Sequence, residues 1–179
     1  MEPSPRLSLS ISAFYNAYDH LKTVEIAPGG FLPLRWGNMM HGYTYGLEAW
    51  GEYRVAPWWR LSASRDELDE HPTFKPGSAW LLGVAEAGDD PEHQASLRSS
   101  LDLGPQVTWD ADLRYVGVPP NPRAPAYAEL NTRVGWNINQ HVQLSLSGFN
   151  LLRAHHLEFP ASEASAVPRT FLADLRFRF

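Results

Sequence analysis

The residues best suited to chemistry are the histidines and the carboxylates near them. His155 and His156, followed by Glu158, form the densest grouping of metal-type ligands in the sequence. A shared metal needs ligands that converge on one point, whereas adjacent residues of an extended strand point to opposite faces. The pair therefore reads as loop polarity. The run Asp66-Glu67-Leu68-Asp69-Glu70-His71 could hold a hard cation through its carboxylates, but it is expected to be a solvated stretch of an outer loop. No spacing fixes a serine beside a base, as nucleophilic catalysis requires. Gly29-Gly30 has no helix after it and is no phosphate loop. Cysteine is absent, which excludes thiol and disulfide chemistry. The sequence thus predicts no catalytic centre, no metal site and no cofactor.

What would position any functional residue is a series of period-two segments. Leu7, Leu9, Ile11, Ala13 and Tyr15 alternate with Ser8, Ser10, Ser12 and Asn16, with Phe14 out of pattern. Tyr43, Tyr45, Leu47, Ala49 and Tyr53 alternate with Thr44, Glu48, Glu52 and Arg54, and Trp59, Leu61 and Ala63 alternate with Arg60, Ser62 and Ser64. Five more runs, carried by Leu97, Leu113, Leu130, Leu144 and Leu175, follow the same rule and bring the total to eight. Such alternation marks β-strands with one apolar and one polar face. Each run has roughly the 9–11 residues that cross a bilayer as a tilted strand.

Alternation alone also suits a soluble sandwich, so the connections and the aromatic residues must separate the two. Tight turns are expected at Val55-Ala56-Pro57, Gly104-Pro105 and Asn139-Gln140, and long connections over Asp19–Pro33, Asp66–Glu92, Val118–Pro125 and Arg153–Pro168. Short and long alternate, as in barrels with short periplasmic turns and long outer loops. On the apolar faces, Tyr53, Trp59, Trp109, Trp136 and Phe179 fall beside the short turns. Tyr15, Tyr43, Tyr45, Tyr115 and Phe171 fall toward the long connections. Two aromatic girdles around an aliphatic band are what two membrane interfaces select. The opposite faces carry Glu48, Arg98, Asp102, Asp110, Asp112, Arg114, Glu129, Arg133, Asp174, Arg176 and Arg178, which cannot face lipid and are expected to line an interior. The expected location is the bacterial outer membrane, against its lipid, with termini periplasmic and long loops extracellular. A formal net charge of -5 offers no basic footprint for nucleic acid.

The final segment, with Phe171, Leu175, Phe177 and Phe179 as its last residue, resembles the C-terminal signature that the barrel-assembly machinery recognises in bacterial outer-membrane proteins. More of the chain resembles the TonB-dependent receptors. Asn38 followed by Tyr45-Gly46-Leu47-Glu48 is similar to that family's asparagine and its tyrosine-glycine-hydrophobic-glutamate strand. The segment from Gly88 to Ser100 is similar to its lead-in to a late barrel strand. Pro125-Ala126-Tyr127, Leu130-Asn131 and Gly148-Phe149-Asn150-Leu151-Leu152 follow the order of its closing strands, and His156-Leu157-Glu158-Phe159 and Val167-Pro168-Arg169 precede the last one as in members.

The resemblance implies an all-β antiparallel meander forming the closing third, residues 1–179, of a barrel of about 22 strands. The family's plug domain and TonB-contact segment would be absent from this chain. It further implies energised uptake of a scarce nutrient (a ferric siderophore, haem, cobalamin or an oligosaccharide), with TonB acting through the plug, and no enzymatic activity. Tyr18, Trp36 and the tract from Pro72 to Gly88, with Trp80, are candidates for substrate contact. Met1 is then expected to be an internal position of a longer reading frame, which would explain why Met1–Arg6 carries no secretory leader. The alternative is a self-contained eight-stranded barrel, an adhesin or structural protein, whose inward arginines and carboxylates pair across a side-chain-filled interior. The aromatic girdles argue against a third reading, a soluble ligand-binding barrel.

Overall fold

The computed structural model describes residues 4–27, 29–30, 33–79, 90–119, 124–158 and 166–178. These form β1 (Leu7–Ile26), β2 (Leu34–Ala56), β3 (Trp59–Phe74), β4 (His93–Asp102), β5 (Val107–Val116), β6 (Tyr127–Asn137), β7 (Val142–Phe149), β8 (His155–His156), β9 (Val167–Pro168) and β10 (Thr170–Phe177). Eight of them make one sheet in the order β1-β2-β3-β4-β5-β6-β7-β10, and β8 pairs with β9 inside the last long connection. All pairings are antiparallel, so each sheet strand lies beside its nearest sheet neighbours in sequence. The eight alternating runs are thus eight strands.

Local chemistry closes the short turns. Asn139 Oδ1 accepts the backbone N–H groups of His141 (2.8 Å) and Val142 (3.0 Å), an Asx turn that reverses the chain between β6 and β7. Gly104, at φ 92°, supplies the left-handed residue between β4 and β5.

Two expected loops prove to be strand. β1 runs past Asp19 to Ile26, and β3 runs past Asp66 to Phe74, so the first three strands have 20, 23 and 16 residues. Apolar–polar alternation is imposed only where one face meets lipid and the other water. Farther out neither face is selected for lipid, the period-two signal vanishes and the ladder continues without it. The acidic run Asp66–His71 accordingly lies on a strand rather than in a loop. Register shifts between Tyr18 and Leu21 and between Leu21 and Thr23, with His20 at φ 61°, mark bulges in the extended hairpin.

The linear strand order gives β1 and β10 one neighbour each, and among the described residues no pairing joins them. The described sheet is an open wall, not the closed eight-stranded barrel of the alternative reading. Nor does it enclose an apolar core. Among the described residues the buried apolar ones are Met40, Val116, Ala124 and Tyr127, toward the long-connection end, while Ile11 and Phe171 are each 73% exposed. Phe14, out of pattern in the sequence, sits opposite Gly46 on the polar face. A Cβ at Gly46 would lie 2.6 Å from the Phe14 ring and 2.4 Å from the Glu67 carbonyl oxygen, so glycine is what lets the ring lie flat on the strand.

Candidate functional site

Residues directly opposite in an antiparallel ladder share a face. One such row runs Leu7, Tyr53, Leu61, Ser99, Ala111, Thr132, Gly148, Phe171 across the whole sheet. On this apolar face Tyr15, Tyr43, Tyr45, Tyr115 and Phe171 form one line of rings toward the long connections. Tyr53, Trp59, Trp109, Trp136 and Phe177 form a second beside the short turns. All are exposed except the half-buried Trp59. Leu175 is exposed on the same face of β10, and Phe179 lies outside the described residues.

Both lines run diagonally. Tyr15 on β1 stands eight residues along from Leu7, the residue in register with Phe171 seven strands away. With a rise of about 3.3 Å per residue and about 4.8 Å between strands, levelling that line requires the strands to lean by about 40°. This is the tilt of strands in membrane barrels.

Between the two lines of rings the apolar face carries two aliphatic hydroxyls, Ser99 and Thr132, and each meets an indole from a neighbouring strand. Trp59 Nε1 donates to Ser99 Oγ (3.0 Å). Trp109 Nε1 donates to Thr132 Oγ1 (2.7 Å), whose own hydroxyl donates to the Asp110 carbonyl (2.8 Å). Neither pairing was foreseen, although gaps in the apolar runs at Ser99 and Thr132 were the signal. Toward the long connections the same face turns polar. His71 stacks on Tyr43 (4.7 Å) and Tyr45 (5.8 Å), Tyr45 Oη donates to Asp69 (2.8 Å), and Glu67 bridges Arg65 and His93.

The other face carries the expected charges. Arg98 meets Asp110 at 3.5 Å, Ser100 Oγ donates to Asp110 at 2.7 Å, and Arg114 lies 3.9 Å from Glu129. Glu52, Arg60, Ser62, Arg98 and Asp110 help line an open concavity of about 430 Å³ on this face.

Beyond the outer line of rings, the β1–β2 hairpin holds the segment after β3. Buried Glu25 accepts hydrogen bonds from Thr23 Oγ1 (2.6 Å), Ser78 Oγ (2.8 Å) and Ala79 N–H (2.5 Å). Lys75 N–H donates to the Met39 carbonyl (2.7 Å), and its ammonium pairs with Asp19. Burial by itself raises the Glu25 pKa, but the hydrogen bonds from Thr23, Ala79 and Ser78 outweigh it and hold the carboxyl below its ordinary range. Asp19 is lowered by its hydrogen bond from Lys75. No periodicity could have singled out Glu25, because two of its three partners are 53 and 54 residues away.

The paired histidines diverge as strand geometry requires. His155 is exposed, while His156 is buried against the Tyr127 ring (4.2 Å) with Nε2 3.4 Å from Glu158. Among the described residues no group of three or more histidines and carboxylates could hold a metal ion. Tyr18 lines a groove of about 180 Å³ with Leu21, Tyr43 and Pro72. Trp36 is exposed beneath Lys22, whose Nζ lies 4.2 Å from the ring centroid. Trp80 and the tract to Gly88 lie outside the described residues.

An open antiparallel wall with an exposed apolar face, two lines of rings and a charged opposite face defines a segment of a membrane-spanning β-barrel. The family profile for the TonB-dependent receptor-like β-barrel matches residues 3–151, and the chain belongs to that family. The family consists of receptors of the bacterial outer membrane, which places the chain there. No curated protein sequence matches it. Among solved structures, the siderophore receptor PiuA of Acinetobacter baumannii superposes with a TM-score of 0.74 at 19% identity, over 96% of this chain and 26% of that one. The FrpB iron transporter of Neisseria meningitidis gives 0.79 at 12% identity, over 98% and 30%. The ferric-catecholate import receptor Fiu of E. coli K12 gives 0.71 at 18% identity, over 99% and 26%. These likenesses establish the fold, and the chain spans under a third of each of these structures.

Proposed function

We propose that residues 1–179 are the C-terminal part of the barrel wall of an outer-membrane active transporter. The parent receptor takes up a scarce nutrient (a ferric siderophore, haem, cobalamin or an oligosaccharide) with energy delivered by TonB to a plug domain outside this chain. The carrying observation is the family match over residues 3–151, joined to an open wall whose faces differ in polarity. PiuA, Fiu and FrpB, named for siderophore, ferric-catecholate and iron transport, support the iron-bound end of that range.

In this reading the two lines of rings are girdles at the membrane interfaces, where aromatic side chains keep an apolar body in lipid and a polar tip in water. The short turns are periplasmic and the long connections extracellular. Phe171, Leu175, Phe177 and Phe179 form the signal read by the barrel-assembly machinery, and the open edges of β1 and β10 pair with the remainder of the receptor. Sequencing the DNA upstream of the Met1 codon tests this. A continuous frame encoding further alternating strands, a plug and a leader supports the transporter reading. A leader joined directly to this segment would replace it with an independent small barrel.

A further inference from the structure

Two arginines stand directly opposite each other at the short-turn end of the polar face, and a third, in the turn before β1, is joined to them through its backbone. Arg54 is in register with Arg60 across β2 and β3, and its backbone N–H donates to the Arg6 carbonyl (2.8 Å) beside the Leu7–Tyr53 pair. Strands lie about 4.8 Å apart, so the three positions fall within about 10 Å. All three residues are exposed. Among the described residues, the arginines of this face that form ion pairs are Arg98 and Arg114, not these three. Glu52 and Asp102 line the concavity beside Arg60 without forming an ion pair with it.

Like charges directly opposite one another weaken a sheet, so the row costs stability unless something anionic lies across it. The residue type narrows the chemistry further. Between the short turns and the outer line of rings every cation on this face of the wall is an arginine, and the planar guanidinium fork suits carboxylates held two-pronged. A straight row of about 10 Å matches three or so residues of extended chain; it is longer than one small anion can span.

We propose that Arg6, Arg54 and Arg60 form a docking ledge for an acidic polypeptide segment lying in the lumen at the short-turn end, with its carboxylates held by the three guanidiniums. This rests on the reading of the sheet as the wall of a larger barrel, since only then does this face enclose a lumen.

The full chain, refolded in zwitterionic detergent, is titrated with fluorescein-labelled hexaglutamate by anisotropy. Hexalysine and inorganic phosphate serve as comparators. Hexaglutamate should bind, hexalysine should not, and the affinity should fall about tenfold or more in the triple variant Arg6→Gln, Arg54→Gln, Arg60→Gln. The single variant Arg60→Gln should lose several-fold. Arg65→Gln, on the opposite face, should bind as the unaltered chain does. Undiminished binding by the triple variant, or displacement of the peptide by equimolar phosphate, overturns the assignment. Strand content and the protection of strand amides from exchange are read on the same samples. Their absence in the unaltered chain removes the barrel-wall reading and the ledge with it. Intact strands without hexaglutamate binding remove the ledge alone.

Discussion

Replacing Glu25 with glutamine tests whether one buried carboxylate ties the segment after β3 to the β1–β2 hairpin. Oε1 receives the Thr23 and Ser78 hydroxyls, and Oε2 receives the Ala79 N–H. A glutamine can keep the first pair through its carbonyl, but its amide then opposes the Ala79 donor. A hydrogen bond to a charged group contributes about 1.5–3 kcal/mol, and a buried unmet donor costs about 1–3 kcal/mol. The clasp should weaken by about 2–4 kcal/mol, or about 30- to 700-fold in its opening constant. Hydrogen exchange of the Lys75 and Ala79 amides reads this directly, with β4 and β5 amides as an internal reference.

The pH dependence has a definite sign. Glu25 has a lower pKa folded than unfolded, so its stabilisation is present above the unfolded value and lost as pH falls through the folded one. Asp19 adds in the same direction. Protection factors of the Lys75 and Ala79 amides in the unaltered chain, taken against the intrinsic exchange rate at each pH, should therefore fall on acidification below about pH 4, and a Glu25→Gln, Asp19→Asn variant should lack that fall. Equal exchange at Lys75 and Ala79 in the Glu25→Gln variant and the unaltered chain would refute the reasoning.

Other perturbations address the wall itself. Gly46→Ala brings a Cβ within 2.4 Å of the Glu67 carbonyl, so urea unfolding in lipid vesicles should show a loss of about 1–3 kcal/mol. Adding Phe14→Ala should restore little of it, because the backbone contact remains. Thr132→Val strands the Trp109 indole N–H on the apolar face and should cost about 1–2 kcal/mol in the same assay, with Thr132→Ser close to the unaltered chain. Leu113→Arg, an exposed apolar-face residue between the two lines of rings, should lower vesicle insertion by about 2–4 kcal/mol. Ser10→Arg on the opposite face should insert normally; equal penalties for the two would contradict the assignment of faces.

Alternation along the chain was enough to specify the wall between the two lines of rings. Lipid on one side and water on the other force the side chains to alternate, so Leu7–Tyr15, Tyr43–Tyr53 and the six later runs could be read one residue at a time. Tertiary structure decided what lies outside that constraint. The β1–β2–β3 extensions have no face selected for lipid and carry no alternation, which hid their strands inside apparent loops. The Glu25 clasp, the Trp–hydroxyl pairs and the row Arg6–Arg54–Arg60 depend on which residue stands opposite which. Register, not composition, sets those neighbours, and it exists only once the strands are paired.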